Sequence, residues 1–199
     1  MNNTLEFLHD NKVESLLDIG ANVGYYSRVV KQFFPHMRQM MIEANPHCEQ
    51  YLKQSGIRYT MSCLFDQEKV VDFYLEDTND IGTGASIYKE NTRYYNQNRT
   101  IQLKATTLDD VLKGETFEFI KFDTQGSEID IMAGGKNTLA AADYISIELS
   151  LIEYNHGAPL KEAVVKYVQE QFGFNPISLV EEHYFEGRLI QEDWIFARN

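Results

Sequence analysis

Residues 16–27 read LLDIGANVGYYS: a short apolar run, a turn with two glycines, and the start of a helical pattern. The run from Ser15 to Ile19 predicts a buried strand. The segment from Tyr25 to Phe34 predicts a helix that Pro35 ends. A strand followed by a glycine turn and a helix is the first half of a βαβ unit, whose strands pair in parallel. This stretch therefore predicts an α/β fold.

The same alternation continues along the chain. MMIEANP (40–46) predicts a second strand that ends at Glu43, and Pro46 opens a helix that Gly56 stops. Further elements follow in the order strand, strand, polar stretch, strand, capped short helix, buried strand, glycine-interrupted helix, strand and amphipathic helix. These elements are, in order, 57–63, 69–76, 77–99, 101–105, 106–112 (capped by Thr106 or Thr107), 117–123, 126–142, 144–149 and 160–172.

The tail differs from the rest. Residues 177–189 and 193–197 predict two antiparallel strands joined near Gly187, an arrangement that extends an otherwise parallel sheet. The pattern predicts a Rossmann-like, three-layer α/β/α sandwich with a mostly parallel sheet and a C-terminal antiparallel hairpin. We expect one domain over 1–199, with a helical lead-in at 1–14 and an insertion at 77–100 near the substrate side.

Charge and composition narrow the partners. The chain has 30 acidic and 18 basic residues and a net charge of -12, which disfavours nucleic acid as a substrate. The start has no basic stretch followed by an apolar run, and no segment approaches the ~20 apolar residues of a membrane span. We expect a cytoplasmic protein, monomeric or homodimeric, with Cys48 and Cys63 reduced.

The glycine turn is the expected ligand site, because ligands of open parallel sheets bind at the carboxyl ends of the strands. Gly20 and Gly24 allow close approach of the backbone, and the carboxylate of Asp18 can accept a hydrogen bond from an α-ammonium group. The dinucleotide fingerprint G-x-G-x-x-G fails, since Asn22 and Tyr25 stand where it requires glycine. Glu43 lies where an acidic side chain can bind both hydroxyls of a ribose. A turn without a ligand and an exposed glutamate are the alternatives.

The segments LLDIGANVGYYS, MIEANP, TTLDDVL and FIKFDTQGSEIDIMAGG resemble, in this order and spacing, the FkbM family of S-adenosylmethionine-dependent methyltransferases. The resemblance covers about 15–150, and KFDTQGSE (121–128) is its most specific part. It implies a class I methyltransferase fold that binds S-adenosylmethionine and releases S-adenosylhomocysteine. The residues it implies around the cofactor are Asp18, Gly20, Asn22 and Gly24 at the methionine part, Glu43 and Asn45 at the ribose side, and Cys63 and Leu64 in the segment to Asp66 near the adenine. Cys63 and Leu64 can equally be core residues.

Methyl transfer to an alcohol needs a group that takes the proton of the alcohol. Asp123 ends the most convincing buried strand, where partial burial would raise its pKa, although an adjacent sulfonium would act in the opposite direction. Alternatively, Asp123 only orients the cofactor or caps the helix at Gly126. Glu148 ends the next strand and is expected to hold or deprotonate the acceptor, with a solvated glutamate as the alternative. His156, in a loop, is more typical of a surface residue.

No metal is expected, because ELS (148–150) stands where some O-methyltransferases have an Asp-Asn pair that binds a cation. The insertion is rich in Gly, Ser, Asn and Tyr, which suits a hydroxylated acceptor, or it is a mobile loop. We expect O-methylation of a small-molecule or glycan hydroxyl on a sugar, glycolipid, polyketide or related compound. N- or carboxyl-methylation and a non-catalytic cofactor-binding module are the alternatives.

Overall fold

A seven-stranded sheet organises the computed structural model, which describes residues 3–97 and 99–198. In spatial order the strands are β3 (Arg58–Met61), β2 (Arg38–Glu43), β1 (Ser15–Ile19), β7 (Phe119–Phe122), β8 (Tyr144–Ser150), β10 (Arg188–Arg198) and β9 (Phe174–Phe185). The first five strands are parallel, and β10 is antiparallel to both β8 and β9. The order reverses at β1, which lies between β2 and β7. The predicted parallel sheet with a C-terminal hairpin is confirmed.

Helices cover both faces of this sheet. The helices are α1 (Asn3–Asp10), α2 (Tyr25–Phe33), α3 (Glu49–Ser55), α4 (Leu108–Leu112), α5 (Glu128–Ala133), α6 (Lys136–Ala140) and α7 (Lys161–Phe172). Alternation along β1 decides the two faces: Leu17 and Ile19 pack with residues of α4 to α7, whereas Leu16 packs with residues of α1 and α2. Successive strand residues point to opposite faces, so a strand buried on both sides has no polar face. The result is the predicted three-layer sandwich.

The sequence pattern did not reveal a second sheet. The predicted third strand stops at Met61, and Cys63–Leu64 (β4) pairs instead with Thr100–Thr106 (β6), which also pairs with Lys69–Tyr74 (β5). Alternation shows that a segment is a strand but says nothing about which strand it joins, so this partition was not accessible. The small sheet lies directly after β3, and Ser62 N donates to Glu43 O at 2.8 Å.

Local chemistry sets several helix ends. Thr107, one of the two predicted caps, accepts a hydrogen bond from Asp110 N at 3.1 Å and begins α4. Asn45 caps a single 3-10 turn at Pro46–Cys48 that leads into α3, and Gly56 ends α3 in the left-handed region. The predicted glycine interruption splits 126–142 into α5 and α6.

The close approach of β1 and β7 requires glycine at position 20. Gly20 has φ +80°, and a Cβ there would lie 1.8 Å from the carbonyl oxygen of Asp123. Asp123 N in turn donates to Ile19 O at 3.0 Å, which keeps the two strand ends together. Both the backbone conformation and the space therefore exclude a side chain.

Gly20→Ala is expected to lower the free energy of unfolding by about 3 kcal/mol or more, because strain and overlap with backbone add. The matched control is Gly173→Ala, where φ is +74° but no atom lies within 4 Å of the added Cβ. The control isolates backbone strain and should cost about 1 kcal/mol. Urea unfolding of both variants makes the comparison, and equal losses would contradict the role of close packing at Gly20.

Candidate active site

A cleft lies at the carboxyl ends of β1, β2 and β7, where the strand order reverses. Ligands of open α/β sheets bind at this place in the fold. The cleft brings together six of the residues singled out from the sequence: Gly20, Asn22, Glu43, Cys63, Leu64 and Asp123. It also has lining residues that the sequence patterns did not single out: Ile19, Ile42, Ala44, Ser62, Phe73, Gly82, Thr83, Ala85, Ser86, Ile87, Thr124, Ser127 and Ile131.

Glu43 is held in place by the backbone at the end of β2. Its Oε2 accepts a hydrogen bond from Asn22 N at 2.6 Å, and its Oε1 accepts one from Asn45 N at 2.7 Å. The side chain is buried, and burial raises the pKa of Glu43 although these amide hydrogen bonds oppose it. A carboxylate has about four lone-pair sites, so each oxygen can accept a further hydrogen bond. Glu43 is therefore oriented, and its free acceptor sites suit a diol.

Asp18 does not line the cleft. It is fully buried, its Oδ2 accepts from Ser27 Oγ at 2.7 Å, and its Oδ1 has no hydrogen-bond partner among the described residues. Burial raises the pKa of this carboxyl group, against the attraction of Lys121. In this structure Asp18 joins β1 to α2 through Ser27.

Gly24 and Asn45 also lie outside the cleft lining. A Cβ at Gly24 would contact Met41 Sδ at 3.0 Å and Leu52 Cδ2 at 3.1 Å, so this glycine allows α2 to pack closely against neighbouring side chains. The side chain of Asn45 donates to Asp80 O at 2.8 Å. These two residues support the residues that line the cleft but do not line it themselves.

The inserted segment covers the cleft. Asn22 Nδ2 donates to Ile81 O at 3.1 Å, which, with the contact from Asn45, fixes one end of the segment beside Glu43. Further along, Ser86 Oγ lies 3.0 Å from both Thr124 O and Gln125 O. Tyr88 Oη donates to Asp130 Oδ2 at 2.8 Å. The described part of the insertion is thus tied to the domain by hydrogen bonds, and many of its polar side chains are used to hold it there.

The motif KFDTQGSE forms a turn that Glu128 holds together. Glu128 is buried, and its Oε1 lies 3.1 Å from Thr124 N, 2.9 Å from Thr124 Oγ1 and 3.2 Å from Gly126 N. Gln125 and Gly126 have φ values of +54° and +103°. The carboxylate thus accepts hydrogen bonds from backbone N–H groups of a turn in which two residues have left-handed backbone conformations. This glutamate supports the turn, and Asp123 caps no helix.

Asp123 is paired with the cation two residues before it. Lys121 Nζ lies 2.7 Å from Asp123 Oδ2, and Gln125 Nε2 donates to Asp123 Oδ1 at 3.0 Å. Burial opposes ionisation, but the attraction and hydrogen bond of Lys121 outweigh it, so the pKa of Asp123 lies below its ordinary value. The expected rise of this pKa was wrong, because strand alternation places Lys121 on the same face of β7 as Asp123, where its ammonium group stabilises the carboxylate.

The pKa of Glu148 is shifted in the direction opposite to that of Asp123. Its Oε2 accepts hydrogen bonds from Gln125 Nε2 at 2.5 Å and Gln191 Nε2 at 2.9 Å. Burial and the charges of Asp123 and Asp193 raise the pKa of Glu148 well above its ordinary value. The amide of Gln125 therefore bridges the two carboxyl groups that the sequence placed at the open face.

The hairpin contributes two residues that the sequence analysis missed. His183 Nε2 lies 3.0 Å from Asp193 Oδ2, and this hydrogen bond raises the pKa of His183. Asp193 lies opposite Glu148 in the β8–β10 pairing. The antiparallel pairing of the hairpin creates this proximity. His156, by contrast, is largely exposed and contacts Glu153.

Cys63 and Leu64 fit both of the roles considered for them. Both are buried in the hydrophobic core and also line the cleft. Burial, together with the charge of Glu43, raises the pKa of Cys63 to about 11. Neither cysteine forms a disulfide.

The fold is Rossmann-like, and its cleft lies at the point where the strand order reverses. A family model described as the methyltransferase FkbM domain matches residues 18–176. The chain belongs to this family and is an S-adenosylmethionine-dependent methyltransferase. No curated protein sequence matches it.

Solved structures share the fold at low sequence identity. A TehB-like S-adenosylmethionine-dependent methyltransferase from Corynebacterium glutamicum aligns with a TM-score of 0.52 and 11% identity over 98% of this chain and 87% of that one. The methyltransferase domain of bacterial CtHen1-C gives 0.58 and 9% over 99% and 95%. An RNA methyltransferase candidate from Pyrococcus horikoshii gives a TM-score of 0.53 and 9% identity over 98% of this chain and 81% of that one.

None of the helices in the described part of the chain has the length and apolar composition that a membrane-spanning helix needs.

Lys121→Met is expected to destabilise the protein by about 2 kcal/mol at pH 7, because it leaves the carboxylates of Asp123 and Asp18 without their cation. Asp123 then protonates at a higher pH, so the deficit relative to wild type should shrink as the pH falls towards 4. Urea unfolding at pH 7 and pH 4 measures this. Lys104→Met removes an exposed pair with Glu68 and should cost at most about 1 kcal/mol at both values. A deficit independent of pH would contradict the ion pair.

Proposed function

We propose that the chain transfers a methyl group from S-adenosylmethionine to a hydroxyl group of a sugar, glycolipid, polyketide or related small molecule. The observation that carries the proposal is the oriented carboxylate of Glu43 in a cleft that Asp123 also lines. It supports Glu43 as the residue that binds the ribose hydroxyls of the cofactor. Gly20 and Asn22 lie beside the methionine part, and Cys63 and Leu64 beside the adenine.

The residues present fit this cofactor. Glu43 has unused acceptor sites for two hydroxyl groups, and the cleft wall beyond it is apolar where a flat base would lie. Asp123, which is held ionised by Lys121, suits the positively charged end of the cofactor. Bound S-adenosylmethionine supplies the methyl group and leaves S-adenosylhomocysteine. Asp18 acts through its neighbours, since it does not reach the cleft.

Asp123 and Glu148 are the proposed catalytic pair. Asp123 accepts the proton of the acceptor hydroxyl, and Glu148 holds the acceptor beside it, at the distance fixed by Gln125. Burial beneath the insertion keeps water from the reacting atoms. A net charge of -12 supports a small-molecule or glycan acceptor over nucleic acid. We also propose a single domain that acts in the cytoplasm as a monomer or homodimer.

A panel of glycosides, polyols and phenols, with matched amines and carboxylic acids, tests the proposal through release of S-adenosylhomocysteine. We expect turnover with hydroxyl acceptors, and a kcat about 100-fold lower in Asp123→Asn because the proton acceptor is lost. Asp72→Asn, on the exposed face of β5, is the matched control and should keep the wild-type kcat. Turnover of amines or carboxylic acids but not alcohols would contradict methylation of a hydroxyl group. An unchanged kcat in Asp123→Asn would contradict the assigned base.

A further inference from the structure

Three potential metal ligands converge beside the proposed catalytic pair. Glu148, His183 and Asp193 come from β8, β9 and β10, and one ligand atom of each lies within 4.8 Å of those of the other two. Asp193 is paired with Glu148 across the antiparallel ladder, and His183 lies on the next strand, 3.0 Å from Asp193. Ligand atoms at about 2.0–2.2 Å from one cation are at most ~4.4 Å apart, so small side-chain movements bring these three atoms onto one ion.

The hydrogen bond inside the cluster joins two of its proposed ligands. His183 Nε2 faces Asp193 Oδ2, so a cation bound between these atoms would take the place of the shared proton. Glu148 Oε2 accepts from Gln125 and Gln191, and Glu148 Oε1 accepts no hydrogen bond from the described residues. The side chains of His183 and Asp193 are 35% and 21% exposed, so the group is reachable from solvent. Surrounding groups therefore orient the three ligands without saturating them.

The surroundings of Glu148 are those of an oriented ligand. Gln125 and Gln191 both donate to one carboxylate oxygen, which fixes the direction of the other. Metal-binding carboxylates are commonly held by such hydrogen bonds, and losing them weakens metal binding. Gln125 also connects the group to Asp123, which lines the cofactor cleft. The cluster is therefore connected to the cleft through a single side chain, Gln125.

We propose that Glu148, His183 and Asp193 bind a divalent first-row metal ion, Mn²⁺ or Zn²⁺, that holds the acceptor hydroxyl. One imidazole nitrogen with two carboxylate oxygens suits these ions better than Ca²⁺, which takes oxygen ligands. Three protein ligands leave coordination positions open for substrate. The role of the ion rests on the proposed function, whereas its binding does not.

The ion would explain how a weak base suffices. A metal-bound hydroxyl loses its proton far more readily than a free one, and Asp123, kept ionised by Lys121, accepts that proton. The O–H bond breaks, the electron pair stays on the metal-bound oxygen, and the proton moves to the carboxylate. No metal was expected from the sequence, because ELS (148–150) at the end of β8 lacks the Asp-Asn pair that binds a cation in some O-methyltransferases. The hairpin supplies the other two ligands from 35 and 45 residues further along the chain.

Titration of Mn²⁺ into EDTA-treated, desalted protein, followed by electron paramagnetic resonance of free Mn²⁺, tests the site. We expect one ion per chain, displaced by Zn²⁺. Glu148→Gln and Asp193→Asn, which keep the side-chain shape, should each weaken binding by more than about tenfold. His156→Gln removes an exposed histidine that contacts only Glu153 among carboxylates, and should leave Mn²⁺ affinity unchanged.

Thermal unfolding and titration of S-adenosylhomocysteine show whether each variant is folded. The site is overturned if folded wild type binds neither Mn²⁺ nor Zn²⁺, or if folded Asp193→Asn binds Mn²⁺ as wild type does. Failure of wild type to bind S-adenosylhomocysteine would contradict the proposed function but not the metal site, because Mn²⁺ binding is measured separately.

Discussion

The ammonium group of Lys121 provides the positive charge that balances the carboxylates at this edge of the sheet. Asp18, Asp123 and Asp193 all lie near enough to raise the pKa of Lys121, although burial alone would lower it. Carboxylates gathered in a buried region repel one another and lose hydration, so they need a cation or protons. Lys121 pairs directly with Asp123 and keeps it ionised at the cleft. At Glu148, burial and the charges of Asp123 and Asp193 outweigh the attraction of Lys121, so the pKa of Glu148 rises.

Some residues of the glycine turn and its neighbours hold the fold together, whereas Glu43 faces the cleft. Gly20 allows β1 and β7 to meet, Gly24 allows α2 to pack against Met41, and Asp18 ties β1 to α2 through Ser27. None of these roles needs a ligand. Glu43 differs, because two backbone amides orient it and its remaining acceptor sites are unused. A signature motif can therefore mix residues that shape the loop with residues that face the cleft.

The fold was largely predictable because alternation of apolar strands with amphipathic helices is a local property. The glycine turn, the end of β2 at Glu43 and the C-terminal hairpin each carry their signal within a few residues. The small sheet of β4, β5 and β6 was not predictable, since pairing between strands that are 26 to 42 residues apart leaves no mark in either strand. The low pKa of Asp123 depends on burial of Lys121, and the proximity of His183 to Glu148 depends on strand register. Both are properties of the assembled sheet rather than of any segment.

Calorimetric titration of S-adenosylhomocysteine and S-adenosylmethionine tests most directly whether the cleft at Glu43 is the cofactor site. Wild type should bind both, and Glu43→Gln should bind at least about tenfold more weakly, because charged hydrogen bonds to the ribose are lost. Glu49→Gln changes an exposed carboxylate at the start of α3 and should bind as wild type does. Heat absent for both ligands in folded wild type, or equal affinity in folded Glu43→Gln, would contradict this site.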